Sequence, residues 1–95
     1  MQHCRVATYT VTRGTFQEVA DAAEAGLLPI FRAQPGFGSY GVADLGDGAI
    51  LSISIWNTRQ AAEQASAAAA EWVKDNLSER VELVSNQVGD LAFLA

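Results

Sequence analysis

Cysteine occurs once in the 95 residues, at Cys4, so no internal disulfide can form and no CxxC pair exists. A lone thiol suits a reducing compartment. Histidine also occurs once, at His3. One imidazole beside one thiol falls short of the three or four ligands of a stable metal site, so no metal is expected. Basic residues number only six (Arg5, Arg13, Arg32, Arg59, Lys74 and Arg80) against eleven acidic ones, for a net charge of −5. They are scattered rather than gathered into a stripe, which argues against nucleic acid and against anionic membrane as partners. No apolar run approaches the length of a bilayer span, and the opening Met1 to Arg5 lacks the apolar core of a signal peptide. A cytoplasmic location is the expectation.

What is present describes a globular chain. Hydrophobic residues make up 49% and charged residues 18%, a balance that favours a packed core over disorder. The length predicts a single domain over residues 1–95. A domain so small buries a modest share of its surface, so a partner subunit helps it.

Residues 4–12 are rich in β-branched side chains and read as a first strand. Thr15-Phe16-Gln17-Glu18 has the form of a capping box that opens a helix. Phe16, Val19, Ala20, Ala23, Leu27, Ile30 and Phe31 follow at helical spacing. Pro29 lies inside that run, where it removes a hydrogen bond to Ala25 and predicts a kink or a tight last turn. A bend there is expected to turn Leu27, Ile30 and Phe31 toward the sheet and to shape the mouth of any pocket. Pro35-Gly36 ends the element. Phe37 to Ala43 reads as a second strand, Asp44 to Gly48 as a hairpin turn, and Ala49 to Trp56 as a third strand. Asn57-Thr58 supplies a helix cap for a second helix over Arg59 to Leu77, its inner stripe mostly alanine with Trp72 and Val73. Val81 to Phe93 reads as a last, long or broken strand. The order β-α-β-β-α-β is the α+β, ferredoxin-like sandwich: an antiparallel sheet with two helices on one face.

Two helices cover one face of such a sheet, and the other face should be polar if it meets water. In the third strand it is not: Leu51, Ile53 and Ile55 share one face while Ile50 and Trp56 share the other. Leu91-Ala92-Phe93-Leu94 is apolar throughout. A second copy of the chain, paired through the sheets, is the expected cover, and a homodimer is predicted.

The run Leu27-Leu28-Pro29-Ile30-Phe31-Arg32-Ala33-Gln34-Pro35-Gly36-Phe37, the glycine-rich hairpin, and Ile53-Ser54-Ile55-Trp56 leading into a capped helix resemble the antibiotic biosynthesis monooxygenase-like group of dimeric α+β barrel proteins. The resemblance covers nearly the whole chain. It implies a dimeric barrel, and a substrate lying between the helices and the sheet of each subunit. Members include cofactor-free oxygenases of aromatic polyketides, haem-degrading enzymes and proteins without assigned activity. Trp56 matches a tryptophan placed beside the cavity in several members. The haem-degrading members carry a histidine on the second helix where this chain has Ser66, and a first-strand asparagine that residues 4–12 lack. Haem degradation is therefore disfavoured, and no cofactor is expected.

Five residues are candidates for binding substrate. Trp56 either walls an aromatic pocket or bridges sheet and helix as core, the commoner use of a large aromatic. Asn57 either orients a ligand or caps a helix. Tyr9 and Tyr40 offer phenols on strands that also suit packing. Arg5 is placed to stabilise an enolate. No catalytic residue can be named: triads, nucleophile elbows and phosphate loops are missing, Asp44 and Asp47 lack the spacing of a calcium loop, and His3 sits at the terminus. Two functions follow. One is a cofactor-independent oxygenase of an apolar or aromatic small molecule. The other is a non-catalytic dimeric module that binds such a molecule or assists another enzyme.

Overall fold

The computed structural model describes residues 2–95. Along the chain run β1 (His3–Val11), α1 (Phe16–Ala33), β2 (Phe37–Gly46), β3 (Ala49–Trp56), α2 (Arg59–Asn76) and β4 (Val81–Asp90). The strands form one antiparallel sheet in the order β2-β3-β1-β4. This is the ferredoxin-like arrangement that the element order predicts.

Alternation along each strand sends every second side chain to the helices. On β3 these are Ile50, Ser52, Ser54 and Trp56, all buried. On β1 they include Arg5 and Ala7, also buried. The helices answer with small residues. Ala61, Ala62, Ala65 and Ala69 of α2 are buried, which lets its backbone come close to the sheet and to Trp56. α1 contributes Val19, Ala23, Leu27 and Phe31, four residues spaced by one turn.

The capping box forms as the sequence predicts. The Glu18 N–H donates to Thr15 Oγ1 at 3.2 Å, and Glu18 Oε1 accepts from the Thr15 N–H at 3.1 Å. Arg80 donates to the other Glu18 oxygen at 3.2 Å, tying the start of α1 to the segment before β4. The Arg80 and Thr15 hydrogen bonds hold the Glu18 carboxyl below its ordinary value near 4.5. A depressed carboxylate contributes stability that is present above the unfolded-state pKa and lost as pH falls through the folded-state one. Below about pH 4.5 the wild-type melting temperature should therefore fall more steeply than that of Glu18→Gln. Parallel curves from scanning calorimetry would remove this role from Glu18.

The helix through Pro29 takes the tighter of the two expected forms, while Ile30 and the ends of β2 and β4 depart from the sequence reading. α1 runs unbroken through Pro29 to Ala33 and closes with the Gln34 N–H on the Phe31 carbonyl at 3.1 Å. That three-residue step is the tight last turn. Pro29 and Ala25 both face solvent, so a carbonyl that loses its helical donor can be hydrated. Ile30 lies at the edge of the apolar stripe and is 42% exposed, so it does not turn to the sheet. β2 extends to Gly46, and the turn contracts to Asp47-Gly48, with Gly46, Asp47 and Gly48 all in the left-handed region. β4 ends at Asp90, and Phe93 beyond it is 82% exposed.

The face away from the helices keeps an apolar patch. Val6 pairs with Ile53, Cys4 with Ile55 and Thr8 with Leu51 across β1 and β3. Ile53 is 38% exposed. No described helix is long and apolar enough to cross a membrane.

Candidate functional site

The helix-facing side of the sheet carries an aromatic column and a polar cluster. The column runs Tyr40, Phe31, Trp56, Phe37. Successive rings meet edge to face at centroid distances of 4.9, 5.2 and 5.4 Å. Trp56 is fully buried in it, and its only donor, Nε1–H, gives a 2.8 Å hydrogen bond to Ser54 Oγ. A tryptophan so enclosed has neither surface nor donor left for a ligand.

The polar cluster centres on Arg5, which is 2% exposed. Its Nε–H donates to Asn86 Oδ1 at 2.7 Å, and an Nη2–H donates to the Tyr9 hydroxyl at 3.0 Å. Asn86 in turn donates through Nδ2 to Ser66 Oγ on α2 at 3.3 Å. The cluster thus ties β1, β4 and α2 together. Because Tyr9 accepts from Arg5, its own O–H remains free to donate elsewhere.

Tyr9, Tyr40 and Ser52 border a cavity of about 30 Å³ between the helices and the sheet, otherwise lined by apolar side chains such as Leu27, Ile50, Trp72 and Val73. Burial pushes the Tyr40 phenol up. A hydrogen bond with Ser52 and the Arg5 charge oppose this, and Tyr9 adds to it. Tyr40 is therefore a proton-bearing donor at neutral pH, not a phenolate base. No histidine or carboxylate lines this cavity.

The Trp72 indole and Leu77 border both the cavity and an outer groove of about 580 Å³ between α1 and α2. The indole lies against Gly26, where a Cβ would come within 2.6 Å of the ring. Gly26 is thus a place where the second helix's largest side chain needs the first helix to be bare.

Of the five candidates, the structure brings Arg5, Tyr9 and Tyr40 together. Trp56 stands in the core behind them. Asn57 is exposed and apart: its N–H donates to the Gly36 carbonyl at 2.9 Å, and a Cβ on Gly36 would collide with its Oδ1. The cap of α2 is Thr58, whose Oγ1 accepts from the Ala61 N–H at 3.0 Å. Pro29 borders neither the cavity nor the grooves beside it. His3 pairs through Nδ1 with Asp90 Oδ1 at 2.7 Å on the surface. Among the described residues no group of three or more His, Cys, Asp or Glu side chains is placed to hold a metal ion.

Sequence reasoning missed Asn86, Ser52 and the part played by Ser66. Ser52 left a signal, for it shares a strand face with Ile50 and Trp56, where an apolar residue would be expected. Asn86 left none, because the β1–β4 register shifts between Thr8 and Tyr9.

The sequence profile described as antibiotic biosynthesis monooxygenase matches residues 3–75. The chain belongs to the antibiotic biosynthesis monooxygenase family. The matched stretch of this family member contains Arg5, Tyr9, Tyr40, Ser52, Trp56 and Ser66, while Asn86 lies beyond it. Among solved structures it is similar to SnoaB from Streptomyces nogalater, a cofactor-independent oxygenase, at 17% identity and a TM-score of 0.76, over 98% of this chain and 95% of that one. It is similar to MupZ from Pseudomonas fluorescens at 15% identity and a TM-score of 0.73, over 92% of this chain and 69% of that one. Protein SO0527 from Shewanella oneidensis shares 22% identity, with a TM-score of 0.65, over 94% and 93%. Likeness at such identity shows a common fold. No curated protein matches the chain.

Proposed function

We propose that this family member is a small cofactor-independent oxygenase that holds an apolar or aromatic molecule between its helices and sheet, and that it works as a homodimer in the cytoplasm with its one domain. The observation that carries the reading is the apolar cavity floored by two phenols, one of them fed by a buried guanidinium. Apolar walls with a few convergent polar groups are the pattern of small-molecule sites.

At about 30 Å³ the cavity has room for about one water, so a substrate must widen it. Displacing the Trp72 indole joins it to the outer groove. The chemistry that suits these groups acts on a carbon acid whose carbanion is stabilised by an adjoining carbonyl and aromatic rings. Loss of a C–H proton to water gives the enolate. Tyr9, polarised by Arg5, donates to the enolate oxygen, and Tyr40 adds a second O–H. The carbanion adds to O₂, forming a C–O bond and an alkyl peroxide anion, which takes up a proton to give the hydroperoxide on that carbon. Loss of water then leaves a ketone where a CH₂ group stood, so one O₂ yields one carbonyl and one water.

The absence of a histidine or carboxylate from the cavity lining favours the second reading, a non-catalytic ligand-binding or accessory dimer. An oxygen electrode separates the two. With metal-free protein and an anthrone as probe, the oxygenase reading predicts protein-dependent uptake of one O₂ per quinone formed. Binding of the probe without uptake establishes the module instead.

A further inference from the structure

Arg5 is the least exposed cation of the chain, and among the described residues it has no acidic partner. The cations that do pair with acids, Arg13, Arg59 and Arg80, are all at the surface. Asn86 and Tyr9 orient the guanidinium through two of its five donors without neutralising it. Arginine cannot escape by losing its proton, so a buried guanidinium without an anion carries an unrelieved desolvation cost. Arg5 also borders open space.

That space is a groove of about 500 Å³ between α2 and β4, which shares Tyr9, Val73 and Val81 with the lining of the inner cavity. Arg5 lies on its wall with Ser66 and Asn86. Ala70, Val73, Val81 and Leu83 give it an apolar side, and Leu83 is 53% exposed. Lys74 and Glu82 stand on the same groove. Two cations and one acid give it a net charge of +1, in a chain whose total is −5.

We infer that the α2–β4 groove is a second binding site, for a small aryl carboxylate whose carboxylate oxygens sit on Arg5 and whose ring lies along Val73, Val81 and Leu83. The site shares Arg5 and Tyr9 with the oxygenase reading but does not depend on it, since it requires no reaction and no widening of the inner cavity. Tyr9 touches both spaces, so occupancy of the groove is felt at the phenol that faces the cavity.

The test is equilibrium binding of 2-naphthoate against its neutral isostere 2-naphthamide, by calorimetry on the wild-type protein. A charge-assisted pair with Arg5 predicts that the carboxylate binds about ten- to a hundredfold more tightly. In Arg5→Met the preference disappears. Because a buried arginine also supports the fold, a second readout leaves it in place: the Arg5 Nε–H resonance should shift saturably with naphthoate and stay still with naphthamide. Equal affinities, no saturable naphthoate binding, or an unmoved Nε–H resonance overturns the site. None of these results bears on oxygen uptake, so the two readings fail separately.

Discussion

Trp56→Ala should cost about 3–5 kcal/mol of folding stability, the range for emptying a buried aromatic position. A domain of this kind holds about 5–15 kcal/mol in all, so the variant loses a large share of it. The loss has three sources. The side chain is fully buried against Leu27, Phe31 and the alanines of α2. Its edge-to-face contacts with Phe31 and Phe37 go with it. Ser54, itself fully buried, loses the indole N–H that pairs with its Oγ at 2.8 Å. Trp56→Phe keeps most of the packing and loses only the last of these, so it should cost well under half as much. Urea unfolding measures both. A tryptophan that walled a ligand pocket would behave otherwise, with stability kept and ligand lost, and that pattern would return Trp56 to the site.

Ile53→Asp should turn the proposed homodimer into a folded monomer. Ile53 is already 38% exposed in the single chain, so its replacement removes little from the core beneath the helices. A central strand position costs up to about 1 kcal/mol for a poor β-former. Dimerisation suffers far more. Across the proposed two-fold interface each substitution would act twice, and a short carboxylate next to Val6, Leu51 and Ile55 would be shut away from water by the second copy. A penalty of about 3 kcal/mol or more raises the dissociation constant at least about a hundredfold. Sedimentation should show wild-type dimer at micromolar concentration and a variant at the single-chain mass of 10.1 kDa with unchanged circular dichroism. A wild-type monomer at that concentration, or an Ile53→Asp dimer of wild-type affinity, would remove the sheet face as the interface.

The fold was legible because local signals agree with the tertiary arrangement. Thr15 and Glu18 announce the start of α1 by chemistry that needs no partner beyond the helix itself. The alternation in β3 separates Ile50, Ser52, Ser54 and Trp56 from Leu51, Ile53 and Ile55 before any sheet is drawn, and the burial follows that division except at Ile55, which is buried on the outer face. Pro29 shows where local reasoning stops. Its missing N–H is certain, but its consequence depends on whether Ala25 faces water, which only the docked helix decides. The end of β4 was illegible for a similar reason: Leu91 to Leu94 have the composition of a strand, yet pairing with β1 gives out at Asp90.

The site was legible in its types and not in its connections. Arg5, Tyr9 and Tyr40 come from two strands that hydrogen-bond to β3 from opposite sides, so nothing in their spacing shows that Tyr9 and Tyr40 share a cavity while Arg5 donates to Tyr9. Their supports, Asn86 and Ser66, join through the edge strand and α2, contacts about 80 and 20 residues apart that no motif records. Trp56 illustrates the converse. The family resemblance set it beside the cavity, whereas the Ser54 hydrogen bond and the rings of Phe31 and Phe37 seal it into the core.

The placement of a ligand decides the account most directly. Under anaerobic conditions an anthrone added to the protein should give intermolecular nuclear Overhauser effects to the ring protons of Tyr9 and Tyr40 and to Trp72, the residues that border the cavity between helices and sheet. Contacts confined to Val6, Leu51 and Ile53 on the open sheet face, or none at saturating probe, would contradict it.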